Sequence, residues 1–322
     1  MKYVQDEFNW FDRGSLFNAS KNADQTEFAA MMEGSVPLER GIRDDIIADE
    51  HHADIPDHDY SWQDEEAALD FIAGPLLSEI DRRISLMGEH YPFERVNSSL
   101  RYKGSDTLVY EFCLAVSLLK NLSSKPYNRF PLLFELVATE AARCYLGGAA
   151  LSLRCGWPSH NRLERPTSFK ELLALITERT GGEFRWSPSI PLPAKWSSHA
   201  PKDEGMDFIA WKPFEDQRLG PLFLLGQCAC GDDWENKLND LDANRLRRWV
   251  NPITFVDFVR AFAVPHHIPG HYIFADVASR AGLTFDRVRL TLLAQNNRDI
   301  FIGKYRPLIE AVIHHTFPAI YA

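Results

Sequence analysis

The chain has 322 residues, 45% hydrophobic and 25% charged, with a formal net charge of -10. That suffices for one large globular domain or two ordinary ones. The acidic balance argues against a protein that merely coats DNA or RNA, while leaving room for a local basic face. Five cysteines, with only Cys228 and Cys230 close together, give neither a disulfide framework nor a four-ligand zinc pattern. They point to a reducing cytoplasm. The opening MKYVQDEFNWFDRGS lacks the apolar core of a targeting peptide. No run of about 18 apolar residues occurs, so no membrane span is expected.

Residues 1–66 are polar and punctuated, with an aromatic group of Phe8, Trp10, Phe11 and Phe17. From Arg43 to Glu66 the chain is strongly acidic and holds HHADIPDHD, with His51, His52 and His58. His and Asp are suitable metal ligands, but a charge run of this kind reads first as a solvated loop. Residues 63–90 carry Phe71, Ile72, Leu76, Ile80, Ile84 and Met87 at helical spacing. Gly74-Pro75 is expected to break or kink that helix. Residues 105–122 predict a second apolar helix, capped by Ser105 or Asp106. Residues 1–125 therefore read as an acidic, mostly helical N-terminal region, and 126–322 as a second domain.

That domain opens with a helix over 130–146, FPLLFELVATEAARCYL, started by Pro131 and ended by Gly147-Gly148. Its Glu135 and Glu140 lie about 140° apart around the axis and do not share a face. A short apolar strand follows within 149–158. Residues 167–180 form an amphipathic helix with Ser168 or Thr167 as cap and Glu171 at the capping-box position. The Pro- and Ser-rich 185–202 reads as a surface loop. Two strands come next, over 206–211 and 221–228. Asp207 begins the first and Gln227 ends the second. Asp207, Ile209 and Trp211 share one face of the first strand, and Leu225, Gln227 and Ala229 one face of the second. Asp232 or Asp233 can cap a helix that carries Lys237 and ends in Arg245, Arg247 and Arg248. A strand over 255–264, helices over 271–281 and 286–296, a short strand over 283–285 and a last helix over 306–317 complete the chain.

From Phe130 the order is helix, strand, inserted helix, strand, strand, helix, strand. In that order, with Glu135 in FELVATEAA, Asp207 in GMDFIAW and Gln227 in LLGQCACG, the chain resembles the PD-(D/E)XK nuclease superfamily. It is similar in particular to bacterial defence-associated members, through DFIAW, GQCACG followed by DW and NKL, and a late FDRVRL. The likeness covers about residues 126–300. It implies an α/β fold with a restriction-endonuclease-like core, a mixed central sheet flanked by helices, beside the N-terminal helical subdomain. It also implies a cytoplasmic, metal-dependent DNA endonuclease of an anti-phage defence system. Such a protein would act with a partner such as a helicase or ATPase subunit, and a homo-oligomer is possible.

Phosphodiester hydrolysis wants a divalent cation held by carboxylates, and Mg2+ (or Mn2+) prefers oxygen donors. The resemblance makes Asp207 the bridging ligand, Gln227 a weaker neutral one and Glu135 a ligand or a holder of metal-bound water. The superfamily's lysine, two residues beyond the second acidic position, is here Ala229. Lys237 is the preferred relocated lysine, ahead of Lys212. Each residue also has a plain reading: Asp207 as a strand-end aspartate, Gln227 as a buried amide, Lys237 as a surface lysine. Arg245, Arg247, Arg248, Arg287 and Arg289 can form a phosphate-facing surface. The missing lysine leaves a second class open, a nuclease-fold scaffold or binding subunit that no longer cuts.

Overall fold

The structure, a computed structural model, describes residues 13–38, 62–156, 166, 168–189, 203–251 and 257–320. The aromatic residues Phe8, Trp10 and Phe11, the HHADIPDHD segment and Trp196 lie outside the described residues. In chain order the helices and strands are α1 (Arg13–Glu33), β1 (Ser35–Pro37), α2 (Trp62–Met87), β2 (Phe93–Val96), β3 (Ser99–Tyr102), α3 (Val109–Leu118), α4 (Arg129–Leu146), β4 (Leu151–Arg154), α5 (Phe169–Arg179), β5 (Arg185–Trp186), β6 (Phe208–Lys212), β7 (Leu222–Cys228), α6 (Ala243–Leu246), β8 (Val250–Asn251), β9 (Val259–Ala263), α7 (His271–Ala281), β10 (Leu283–Phe285), α8 (Arg287–Asn296) and α9 (Arg306–Ile320). No described helix is long and apolar enough to cross a membrane.

Two compact units divide the chain. One comprises residues 1–120, 266–276 and 286–322, the other 121–265 and 277–285. The residues after 285 thus group with those before 121.

The first unit is mostly helical and also holds a three-stranded antiparallel sheet in the order β1-β3-β2. Its apolar core joins Phe28, Leu76, Ile80, Phe93, Leu114 and Val288. Beside them lies a fully buried ionic network. Arg83 bonds Asp24 (2.7 Å), Glu27 (2.8 Å) and Glu79 (2.8 Å). Arg287 makes a two-pronged contact with Asp24, at 2.7 and 2.8 Å, and bonds Ser117. Tyr91 and Tyr110 donate their hydroxyls to Glu27. A guanidinium fork suits such burial because it meets several carboxylate oxygens at once. Arg287, expected at a phosphate-facing surface, is therefore an internal tie, and Arg289 covers the ring of Phe274.

The second unit is built on a five-stranded mixed sheet, β10-β9-β7-β6-β4. β4, β6 and β7 form an antiparallel meander, and β9 and β10 continue parallel to β7. Alternation along the strands sends Leu153, Ile209, Trp211, Phe223 and Leu225 to one face, where α5 buries Phe169, Leu172 and Ile176. Ser168 caps α5 in a full capping box with Glu171, as its sequence predicts. The opposite face receives α4, which packs across β4, β6 and β7. There the ring of Phe208 lies over Gly226, and a Cβ at Gly226 would come within 1.9 Å of it. The bare glycine lets α4 close on the sheet.

Candidate active site

The candidate site forms at one end of this sheet, where β4 ends, β6 begins and β7 ends. Helix α4 brings Glu135 over it. The apolar residues Phe134, Val137, Ala138 and Ala141 bury the helix, and Glu135, one position from Phe134, is drawn in with them to 9% exposure. On β4, Arg154 follows the inward Leu153 and so points to the α4 side. Its Nε stands 2.6 Å from Glu135 Oε2. Two residues on, Gly156 faces the same carboxylate, since a Cβ there would lie 2.3 Å from Oε2. Arg154 and Gly156 thus flank Glu135, and only the missing side chain of Gly156 leaves it room.

Asp207 sits at the rim of the sheet between β4 and β7. Its carbonyl accepts from the N–H groups of Cys155 (2.6 Å) and Gly156 (2.9 Å). Its carboxylate accepts from the Cys228 N–H at 2.7 Å. Burial, and then the negative charge of Glu135, push the Asp207 carboxyl well above the ordinary range, while the Cys228 N–H and Arg154 pull it down. Two carboxylates from different elements therefore lie within electrostatic reach of each other at one partly exposed spot. Cys228 feels the same field. Burial, then Asp207 and Glu135, push its thiol well above the usual range.

The other expected residues are placed elsewhere. Gln227 lies on the α5 face of β7, and its Oε1 accepts from the Leu241 N–H at 3.2 Å. It fastens the chain after β7 to the sheet, and its amide oxygen is directed away from Glu135. The expectation that Gln227 completes a ligand set is corrected on that geometry. Lys237 lies on a short 3-10 turn, Trp234–Lys237, rather than a regular helix, and its ammonium pairs with Asp233 at 3.4 Å. Lys212 donates to the carbonyl of Leu146. Arg245 pairs with Glu204 and Arg247 with Asp257; Arg248 is exposed.

Arg154 and Gly156 are the site residues that the sequence reading missed. Their signal is slight: one arginine at the end of the apolar LSLR, followed by CG. Its meaning depends on the helix that covers it.

Whether a divalent cation fits can be judged from the donors. Among the described residues no three His, Cys, Asp or Glu side chains gather into a ligand cluster. Two carboxylates do meet, and Mg2+ commonly binds through one or two carboxylates while keeping several waters and substrate oxygens. Burial and then the charge of Glu135 raise the Asp207 proton affinity, and a cation would relieve the second of these. Glu135 and Asp207 fit such an ion, and Gln227 does not. The chain matches no family profile, no curated protein and no solved structure.

Proposed function

We propose that the second unit is a restriction-endonuclease-like domain that cleaves DNA phosphodiesters with Mg2+ or Mn2+, with Glu135 and Asp207 holding the ion. The observation that carries this reading is the convergence of these two carboxylates, one from a covering helix and one from the start of a central strand. The order of elements from α4 to β9, with α5 inserted after β4, supports it, because the superfamily resemblance implies that order. A bound divalent cation neutralises charge on the phosphate and lowers the pKa of a coordinated water. The chain's own part is to fix the donors: the Cys228 N–H holds the Asp207 carboxylate, and the buried face of α4 places Glu135 beside it. Action in an anti-phage defence system, beside a helicase or ATPase subunit, rests on the resemblance alone.

Three observations favour a second reading, a nuclease-fold subunit that binds without cutting. Ala229 stands where the superfamily has its lysine, Gln227 is committed to Leu241, and Lys237 to Asp233. Incubating the purified protein with supercoiled plasmid and Mn2+ or Mg2+ separates the two. Cleavage predicts nicked circles that disappear in Asp207→Asn and in Glu135→Gln. An intact plasmid that still shifts with the wild-type protein would sink the enzyme and leave the scaffold.

A further inference from the structure

We propose that Arg154 is a built-in counter-cation of the Glu135–Asp207 pair, which a divalent ion must displace from Glu135 to load the site; this rests on the cation reading given above. Arg154 is held in place by its strand, in register with Phe208 of β6. Its side chain is 9% exposed and that of Glu135 11%, so water does little to screen their 2.6 Å pair. The guanidinium also reaches Asp207 electrostatically, because it draws that carboxyl downward against burial and Glu135. Lys237 and Lys212, the lysines that sequence reasoning offered for the site, are engaged elsewhere.

The physical consequence is competition. An opposite charge at this distance shifts a carboxylate by about 1–3 pH units, and a metal ion arriving at Glu135 meets the same bias. Removing the guanidinium therefore favours the ion by about tenfold or more. Once displaced, Arg154 remains tethered at the end of β4, where its planar fork suits a phosphate oxygen of the bound nucleic acid. The positive charge that Ala229 does not supply then comes from β4, on the far side of β6 from β7. Arg154 acts as a positioning residue in the free protein.

Calorimetric titration of Mn2+ into the wild-type protein, Arg154→Gln and Arg154→Lys tests this without any nucleic acid. Arg154→Gln is expected to bind Mn2+ about tenfold more tightly than wild type. Arg154→Lys, which keeps the charge but loses the fork, is expected to fall between them. If Arg154→Gln does not fold, judged by its thermal melt, the comparison of Arg154→Lys with wild type decides alone. Equal or weaker Mn2+ binding by the variants than by wild type overturns the proposal. Binding by Arg154→Gln with none by wild type supports it in its strongest form. Absence of Mn2+ binding in all folded proteins overturns the cation reading itself, and the competition with it.

Discussion

Glu135 and Gln227 look alike in the sequence, each a polar residue in an apolar run, yet they serve opposite faces of one sheet. Glu135 descends from α4 onto the Arg154 side, while Gln227 turns toward Leu241 on the α5 side. The alternation of strand residues foretold the face of Gln227. It could not foretell which face the helix would cover. Asp207 was legible because a carboxylate at the start of a strand lies at the sheet's end whichever face is buried. Gly156 was not, because its role is set by a carboxylate 21 residues earlier. Gly156→Ala puts a methyl group into Glu135 Oε2, and overpacking of this kind costs about 1–3 kcal/mol. Urea denaturation should report that loss.

Elements with an apolar stripe and a chemical stop were the easiest to read. Helix α5 has both, and Ser168→Ala should cost about 1 kcal/mol of stability through loss of its cap, seen as a lower denaturation midpoint. Helix α4 ends at Gly147, which takes φ +65° as the sequence leads one to expect of a glycine there. Helix α2, by contrast, runs on through Pro75. The proline lies in its second half, and packing of Leu76 and Ile80 in the core beyond it sustains the helix. Helix α1 was missed outright. Its buried face carries Ser20, Asn22, Asp24 and Glu27 among alanines, so an apolar-periodicity test has little to find. Only the arginines of two distant helices make those acids internal. Helix α3 opens not on Ser105 or Asp106 but on Leu108 at φ +57°, with Ser105 Oγ accepting from the Leu108 N–H.

At the scale of the whole chain, the first unit is tied by charge as well as by apolar packing. Burial would raise the carboxyls of Asp24 and Glu79, but Arg287 and Arg83 overcome it and hold both below the ordinary range. Asp286 is also lowered, burial being outweighed by His267. A depressed folded value means that the stability is present above the unfolded value near about 4 and is lost as pH falls through the folded one. Glu111, pushed up by burial, works the other way just above its own ordinary value. Three lowered groups, against Glu111 here and Asp207 in the second unit, predict that stability declines from about pH 5 downward, measurable by urea denaturation at successive pH values. Arg287→Met, which removes the two-pronged partner of Asp24 and leaves it Arg83, should cost up to about 3–5 kcal/mol. That the C-terminal residues return to this unit was not readable from 1–125, because DRVRL presents itself as a basic surface until Asp24 is found opposite Arg287. The measurement that bears most directly on the second unit is calorimetric binding of Mn2+ to wild-type protein and to Asp207→Asn. One saturable site in the wild type, abolished in Asp207→Asn, is the predicted result. A site that survives Asp207→Asn, or no site in either the folded wild type or folded Arg154→Gln, would contradict a cation held between Glu135 and Asp207.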